Sequence, residues 1–112
     1  MENDIIRGDI YYVNLPEQPA WSHIQSGCRP CIVIQNDLGN RYSPNTIVIP
    51  LTTRHKPKMS THFLVTETPI KSTGLAESVV TVNKTDLTTY LGHVSDYELN
   101  KMNTAIKNSL GL

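Results

Sequence analysis

Two short runs decide how this chain is read: Pro30-Cys31-Ile32-Val33-Ile34-Gln35 and, further on, Thr46-Ile47-Val48-Ile49-Pro50-Leu51. Both are rich in β-branched residues, and both are apolar at consecutive positions. That pattern belongs to strands buried on both faces, in segments too short for stable helices. The residues between them, Asn36 to Asn45, are dense in turn formers and read as a connector. Working outward, Asp9-Ile10-Tyr11-Tyr12-Val13-Asn14-Leu15 predicts a strand that stops at Pro16. Pro16 to Gly27 is too long for a hairpin turn, and loops of that length in small domains often carry function. Beyond the second run, Thr52 to Ser60 reads as a basic loop. His62-Phe63-Leu64-Val65-Thr66 and Ser78-Val79-Val80-Thr81-Val82 read as two more strands joined through Pro69 and Gly74.

The last segment changes period. Ser95 with Glu98 three residues later predicts a capping box, in which the hydroxyl takes an orphan N–H and the carboxylate reaches back. Leu99, Met102, Ile106 and Leu110 then share a helical stripe expected to face the core, and Gly111 supplies the stop. Five or six strands and one terminal helix, with no βαβ alternation, predict a small antiparallel barrel or sheet packed by a helix.

The 112 residues fit a single domain, residues 1–112, with no room for a second core. Such a domain has a thin core, and dimerisation is a natural way to hide more apolar area. No apolar run approaches membrane-spanning length, and Met1-Glu2-Asn3-Asp4 lacks the basic start of a secretory signal. The chain reads as soluble and cytoplasmic. Its ten basic residues balance ten acids, unlike the usual free-standing nucleic-acid binder. The balance hides an asymmetry. Residues 1–40 hold two basic residues against five acids, whereas residues 41–84 hold six against two. A basic middle permits a local anionic site rather than long-range capture of duplex.

Cys28 and Cys31 form a C-x-x-C. A redox pair wants its first thiol at a helix start, and structural zinc wants four ligands. The cysteines instead flank the start of a strand, and His23, His55, His62 and His93 are not paired for a metal. Arg7-Gly8-Asp9 reads as a charged lead into the first strand rather than an adhesion motif. There is no phosphate-cradling glycine loop, no G-x-S-x-G and no H-E-x-x-H.

Ordered motifs go further. Arg7-Gly8-Asp9-Ile10-Tyr11, Gly27-x-Arg29-Pro30-x-x-Val33-Ile34-Gln35-Asn36-Asp37, Gly39-Asn40-Arg41-Tyr42-Ser43-Pro44, the strand entering Thr52 and the ending Asn108-Ser109-Leu110-Gly111-Leu112 resemble the PemK/MazF toxin family. The likeness is dense over residues 7–54 and 94–112 and weak over 55–93. It implies a mainly β fold with a C-terminal helix, a small SH3-like half-open barrel of the PemK/MazF/CcdB type, working as a homodimer. It also implies a sequence-specific, ribosome-independent and metal-independent endoribonuclease with no cofactor. The partners would be single-stranded RNA and a cognate antitoxin. Cleavage would proceed by 2′-hydroxyl attack, leaving a 2′,3′-cyclic phosphate and a 5′-hydroxyl.

Residue by residue, the resemblance makes Arg29 and Thr52 catalytic. A guanidinium that is always charged suits clamping the phosphate, and a threonine hydroxyl can donate to a non-bridging oxygen. His23 falls where some members carry a histidine and is a candidate acid or base. Expected RNA contacts are Trp21, Gln25, Asn36, Asn40, Arg54, Lys56, Lys58 and Asn83. The basic loop Arg54-His55-Lys56-Pro57-Lys58, with Trp21 and Ile24 as apolar surface, is expected to serve RNA and antitoxin together. Two departures stand out: Ile24 replaces an acid before the loop glutamine, and Asn83 falls where some members place a catalytic carboxylate. Two rival readings follow, a same-fold toxin that poisons gyrase and a non-catalytic RNA-binding module.

Overall fold

The computed structural model describes residues 4–68 and 71–112; Pro69 lies outside them. Among the described residues, seven strands and two helices follow in the order β1 (Asp9–Leu15), β2 (Gly27–Val33), α1 (Asp37–Tyr42), β3 (Asn45–Thr52), β4 (His62–Val65), β5 (Ser72–Leu75), β6 (Val80–Asn83), β7 (Leu87–His93) and α2 (Asp96–Leu110). Short 3₁₀ turns at Ala76–Ser78 and Lys84–Asp86 flank β6. All pairings are antiparallel, in the order β4-β5-β3-β2-β1-β7, with β6 also on β3. The result is a sheet that does not close.

β3 is the hub. Its first half pairs with β6 and its last two residues with β5, so Pro50 falls where the partner on that edge changes. A proline without an N–H is tolerated in a central strand only at such a break. Successive residues of the two deciding runs enter different cores. Ile32, Ile49 and Leu51 join Ile10, Phe63, Val65 and Met102 beneath α2, while Cys31, Val33 and Val48 join Val13, Leu15 and Val82 on the other face. Burial on both faces is why these strands read as unbroken apolar runs.

Five expectations change. The run expected to begin at Pro30 starts at Gly27 and leaves the ladder after Val33. The connector Asn36–Asn45 contains a helix: Asn36 Oδ1 accepts from Gly39 N at 2.7 Å, and α1 ends before Pro44. Gly74, expected in a connector, lies inside β5, where any Cβ would sit 2.2 Å from the Phe63 ring. β7 was not anticipated, and residues 76–78 form a 3₁₀ turn ahead of a shorter β6.

The α2 start keeps only half of its expected box. Ser95 Oγ accepts from Glu98 N, but Glu98 turns inward, where Oε2 accepts from Thr66 N at 2.7 Å and Thr66 Oγ1 at 2.9 Å. Glu67 takes the outer role, accepting from Ser95 N and Ser95 Oγ, and the Ser95 hydroxyl holds its carboxyl below the ordinary range. Met102 and Ala105 are buried, Leu99 and Ile106 pack at the margin, and Leu110 is exposed rather than in the core. Gly111 ends the helix at φ 73°, a left-handed cap.

Candidate active cleft

The register of β2 on β3 builds the site. Cys31 pairs with Pro50, Ile32 with Ile49 and Val33 with Val48. Continuing that antiparallel register by two residues sets Arg29 across from Thr52. Both line one cleft of about 310 Å³, together with Arg54, Tyr12, Thr53, Thr68 and Ser72, over an apolar floor of Ile10, Leu51 and Leu91. Arg29 is exposed, and its Nε donates to Ser26 O at 3.0 Å. One N–H thus ties the guanidinium to the preceding loop and leaves its Nη edge for a ligand. Thr52 Oγ1 accepts from Arg54 N at 3.2 Å, so its own hydroxyl hydrogen stays available as a donor. Two cations, hydroxyl donors and an apolar floor suit a phosphodiester carrying a base.

Other expected site residues lie elsewhere. His23 is exposed on the loop between β1 and β2 and is not among the residues lining the cleft. Trp21, 82% exposed, shares this loop with half-buried Gln25. Asn40 is a correction: it is 1% exposed, with Nδ2 donating to Gln35 O and Oδ1 accepting from Thr46 Oγ1 at 2.6 Å, and so braces α1 rather than meeting RNA. Asn36 spends its oxygen on the α1 cap, and Asn83 accepts within a capping box on the Lys84–Asp86 turn.

The basic loop divides. Arg54 faces the cleft, whereas Lys56 and Lys58 line a separate groove of about 820 Å³ against α2. The sequence missed Tyr12; strand alternation from Ile10 would have found it, since residues two apart share a face.

Cys28 is exposed and Cys31 fully buried, with burial pushing the Cys31 thiol up to about 12. Three residues apart on one strand they point to opposite faces and make no redox pair. Arg7 leads into β1 as expected, its Nε donating to Ile34 O and its Nη2 to Asn103 Oδ1. Among the described residues, no three His, Cys, Asp or Glu side chains gather into a metal site.

The half-open antiparallel sheet with a terminal helix is a fold shared with a class of small toxins, and similarity places the chain within that class. A family model described as PemK-like, MazF-like toxin of type II toxin-antitoxin system matches residues 6–110. The chain is 40% identical to endoribonuclease MazF of Staphylococcus saprophyticus over 95% of its length and 91% of that protein. It is 38% identical to endoribonuclease EndoA of Bacillus subtilis, over 95% and 94%. A mycobacterial endoribonuclease solved with its cognate antitoxin superposes with a TM-score of 0.80 at 27% identity, covering 96% of each chain. MazF from Deinococcus radiodurans has the same fold, with a TM-score of 0.84 at 18% identity over 99% of this chain and 100% of that one. The chain belongs to the PemK-like, MazF-like toxin family.

Proposed function

We propose that this chain cuts single-stranded RNA at the Arg29–Thr52 cleft. It is an endoribonuclease, the toxin half of a type II toxin–antitoxin pair. The observation that supports the site assignment is that Arg29, Thr52 and Arg54 line one cleft.

In this reading the RNA 2′-hydroxyl attacks the adjacent phosphorus and the 5′-oxygen leaves, giving a 2′,3′-cyclic phosphate and a 5′-hydroxyl. Charge grows on the non-bridging oxygens as the phosphorane forms. The Arg29 guanidinium meets that charge through its Nη edge, and Thr52 donates its hydroxyl to a second oxygen. Arg54, which lines the same cleft, holds a neighbouring phosphate. Trp21 offers an exposed ring for stacking an unpaired base, the usual means of reading single strands. No metal enters the scheme, because two cations and a hydroxyl supply the stabilisation.

The working unit is a homodimer, which covers apolar surface that a chain this small leaves outside. Exposed Tyr42, Tyr90 and Leu112 fit that need, and sedimentation measures it. The protein works in the cytoplasm, where its RNA substrate resides and an exposed free thiol such as Cys28 stays reduced. Among the described residues, no helix is long and apolar enough to cross a membrane.

Incubation with a long RNA in EDTA tests the reading. The expected result is discrete fragments with 5′-hydroxyl ends, absent with Arg29→Ala. An RNA that is bound but uncut identifies a binding module instead. Intact RNA with inhibited gyrase identifies a gyrase poison.

A further inference from the structure

The cleft holds what steadies a phosphorane, but cutting RNA also moves two protons. The 2′-hydroxyl has to lose one, and the departing 5′-oxygen has to gain one. Among the described residues that line the cleft there is no His, Asp, Glu, Lys or Cys. Its ionisable side chains are Arg29, Arg54 and Tyr12. A guanidinium stays charged and is a poor source of protons. A phenol keeps its proton at neutral pH and can give it to an alkoxide.

We propose that Tyr12 is a catalytic residue, the acid that protonates the 5′-oxygen as it leaves. The proposal rests on the reading of this cleft as the RNA-cutting site. In the step, the 2′-oxygen bonds to phosphorus and gives its proton to water. The P–O5′ bond breaks, its electron pair stays on the 5′-oxygen, and that oxygen takes the Tyr12 proton. The proton lost from the 2′-hydroxyl, passed on through water, restores the phenol. Until then the phenolate stands in one cleft with two guanidiniums.

Position supports the role. Tyr12 pairs with Pro30, next to Arg29, and lies two residues on from Ile10, so it shares the face of the cleft's apolar floor. β1, β2 and β3 run side by side, so Tyr12, Arg29 and Thr52 come from three consecutive strands, each ~4.8 Å from the next. An in-line displacement puts the entering and leaving oxygens at opposite ends of one line. A donor to the leaving oxygen therefore belongs to one side of the groups that hold the non-bridging oxygens. β1 stands to one side of β2 and β3. The main chain there is braced, since Thr88 Oγ1 donates to Tyr12 O at 3.1 Å. The side chain is half-buried, and among the described residues its phenol oxygen has no hydrogen-bond partner.

The test compares two versions of one oligonucleotide spanning a cleavage site mapped on a long RNA. One carries the natural 5′-oxygen and the other sulfur in its place, which leaves without needing a proton. Tyr12→Phe keeps the ring and should keep the thermal midpoint. It should slow the oxygen substrate by ~10²-fold or more, the usual weight of a positioned acid, and leave the sulfur substrate near the parent rate. Arg29→Ala should slow both, because charge on the non-bridging oxygens grows in either case. His23→Ala should not separate the two substrates. Equal loss on both with Tyr12→Phe makes the phenol a binding or structural group and overturns the proposal. So does an unchanged rate on the oxygen substrate, or a separation seen with His23→Ala alone. Tyr12→Leu gives the same readout should the phenylalanine variant unfold. A parent that yields no fragments from the long RNA defeats the nuclease reading and the proposal with it. A parent that cuts, with no separation in Tyr12→Phe, defeats the proposal alone.

Discussion

Of the two long loops of this protein, one leads into the strand that carries Arg29 and the other leaves the strand that ends at Thr52, and they are built differently. The loop of residues 16–26 is tied to itself and to the strand it enters: Ser22 N donates to Pro19 O, Ile24 N to Ser22 Oγ, and Ser26 O receives Arg29 Nε. The loop of residues 53–61 is tied to the strand it enters through His62, and also to a distant element, α2, through Asn108. The first leaves Trp21, His23 and Ile24 in solvent. The second holds its lysines against a helix and presents a fixed surface. Exposed side chains suit a flexible single strand, and a fixed groove suits a partner that must bind tightly.

The largest expected effect lies between the loops. Arg29→Ala should slow cleavage by ~10²-fold or more, about 2.7–4 kcal/mol, because an electrostatic contact to the transition state is lost. Its thermal midpoint should stay near that of the parent, since Arg29 is exposed. Thr52→Ala should lose less, a neutral hydroxyl being a weaker donor than a cation. Initial rates on one RNA measure both, and a near-normal rate in either folded variant takes that residue out of the site.

Next comes the exposed loop. Trp21→Ala should weaken RNA binding by ~1–3 kcal/mol without changing stability, provided one base stacks on the ring. Titration with a labelled oligonucleotide reads it, and unchanged affinity would leave the loop without a stacking role.

The fixed loop should respond in stability. Asn108→Ala removes one side-chain bond to Ser60 O and should cost about 0.5–1.5 kcal/mol in urea unfolding. No change in the midpoint would mean that α2 does not hold the loop.

The smallest effect concerns Glu77, 3.0 Å from His62 Nε2. Burial alone would raise its carboxyl, but the bonds from His62 and Thr61 outweigh that and hold it below the ordinary range. A depressed folded pKa stabilises above the unfolded value, and the gain is lost as pH falls through the folded one. Glu77→Gln should therefore cost ~0.2–1 kcal/mol near neutrality, fading in acid. A difference that grows in acid would reverse the assignment.

The two strand runs at residues 30–35 and 46–51 were legible because their signals are local and strong. β-branched runs buried on both faces have few other solutions, and they fix the register that brings Arg29 to Thr52. The cap at Ser95 and the stop at Gly111 likewise needed only neighbours in sequence. Arg29 and Thr52 themselves were singled out through family likeness, since a lone arginine before a proline carries no catalytic signal.

What tertiary structure alone decided lies where local propensity is weak and a distant partner settles the outcome. β5, with a glycine at its centre, is a strand because Phe63 packs flat on Gly74. β7, exposed along much of its length, exists because β1 offers a ladder to pair with. The expected connector forms the helix Asp37–Tyr42, braced where Asn40 finds Gln35 and Thr46 inside the protein. Glu98 leaves its helix cap for Thr66, 32 residues away. The run Arg54-His55-Lys56-Pro57-Lys58 reads as one basic patch along the chain, yet the folded loop sends Arg54 to the cleft and Lys56 and Lys58 to α2. Charge along a sequence shows only what a segment carries; which face each side chain serves depends on where the backbone is pinned, and here His62 and Asn108 do the pinning.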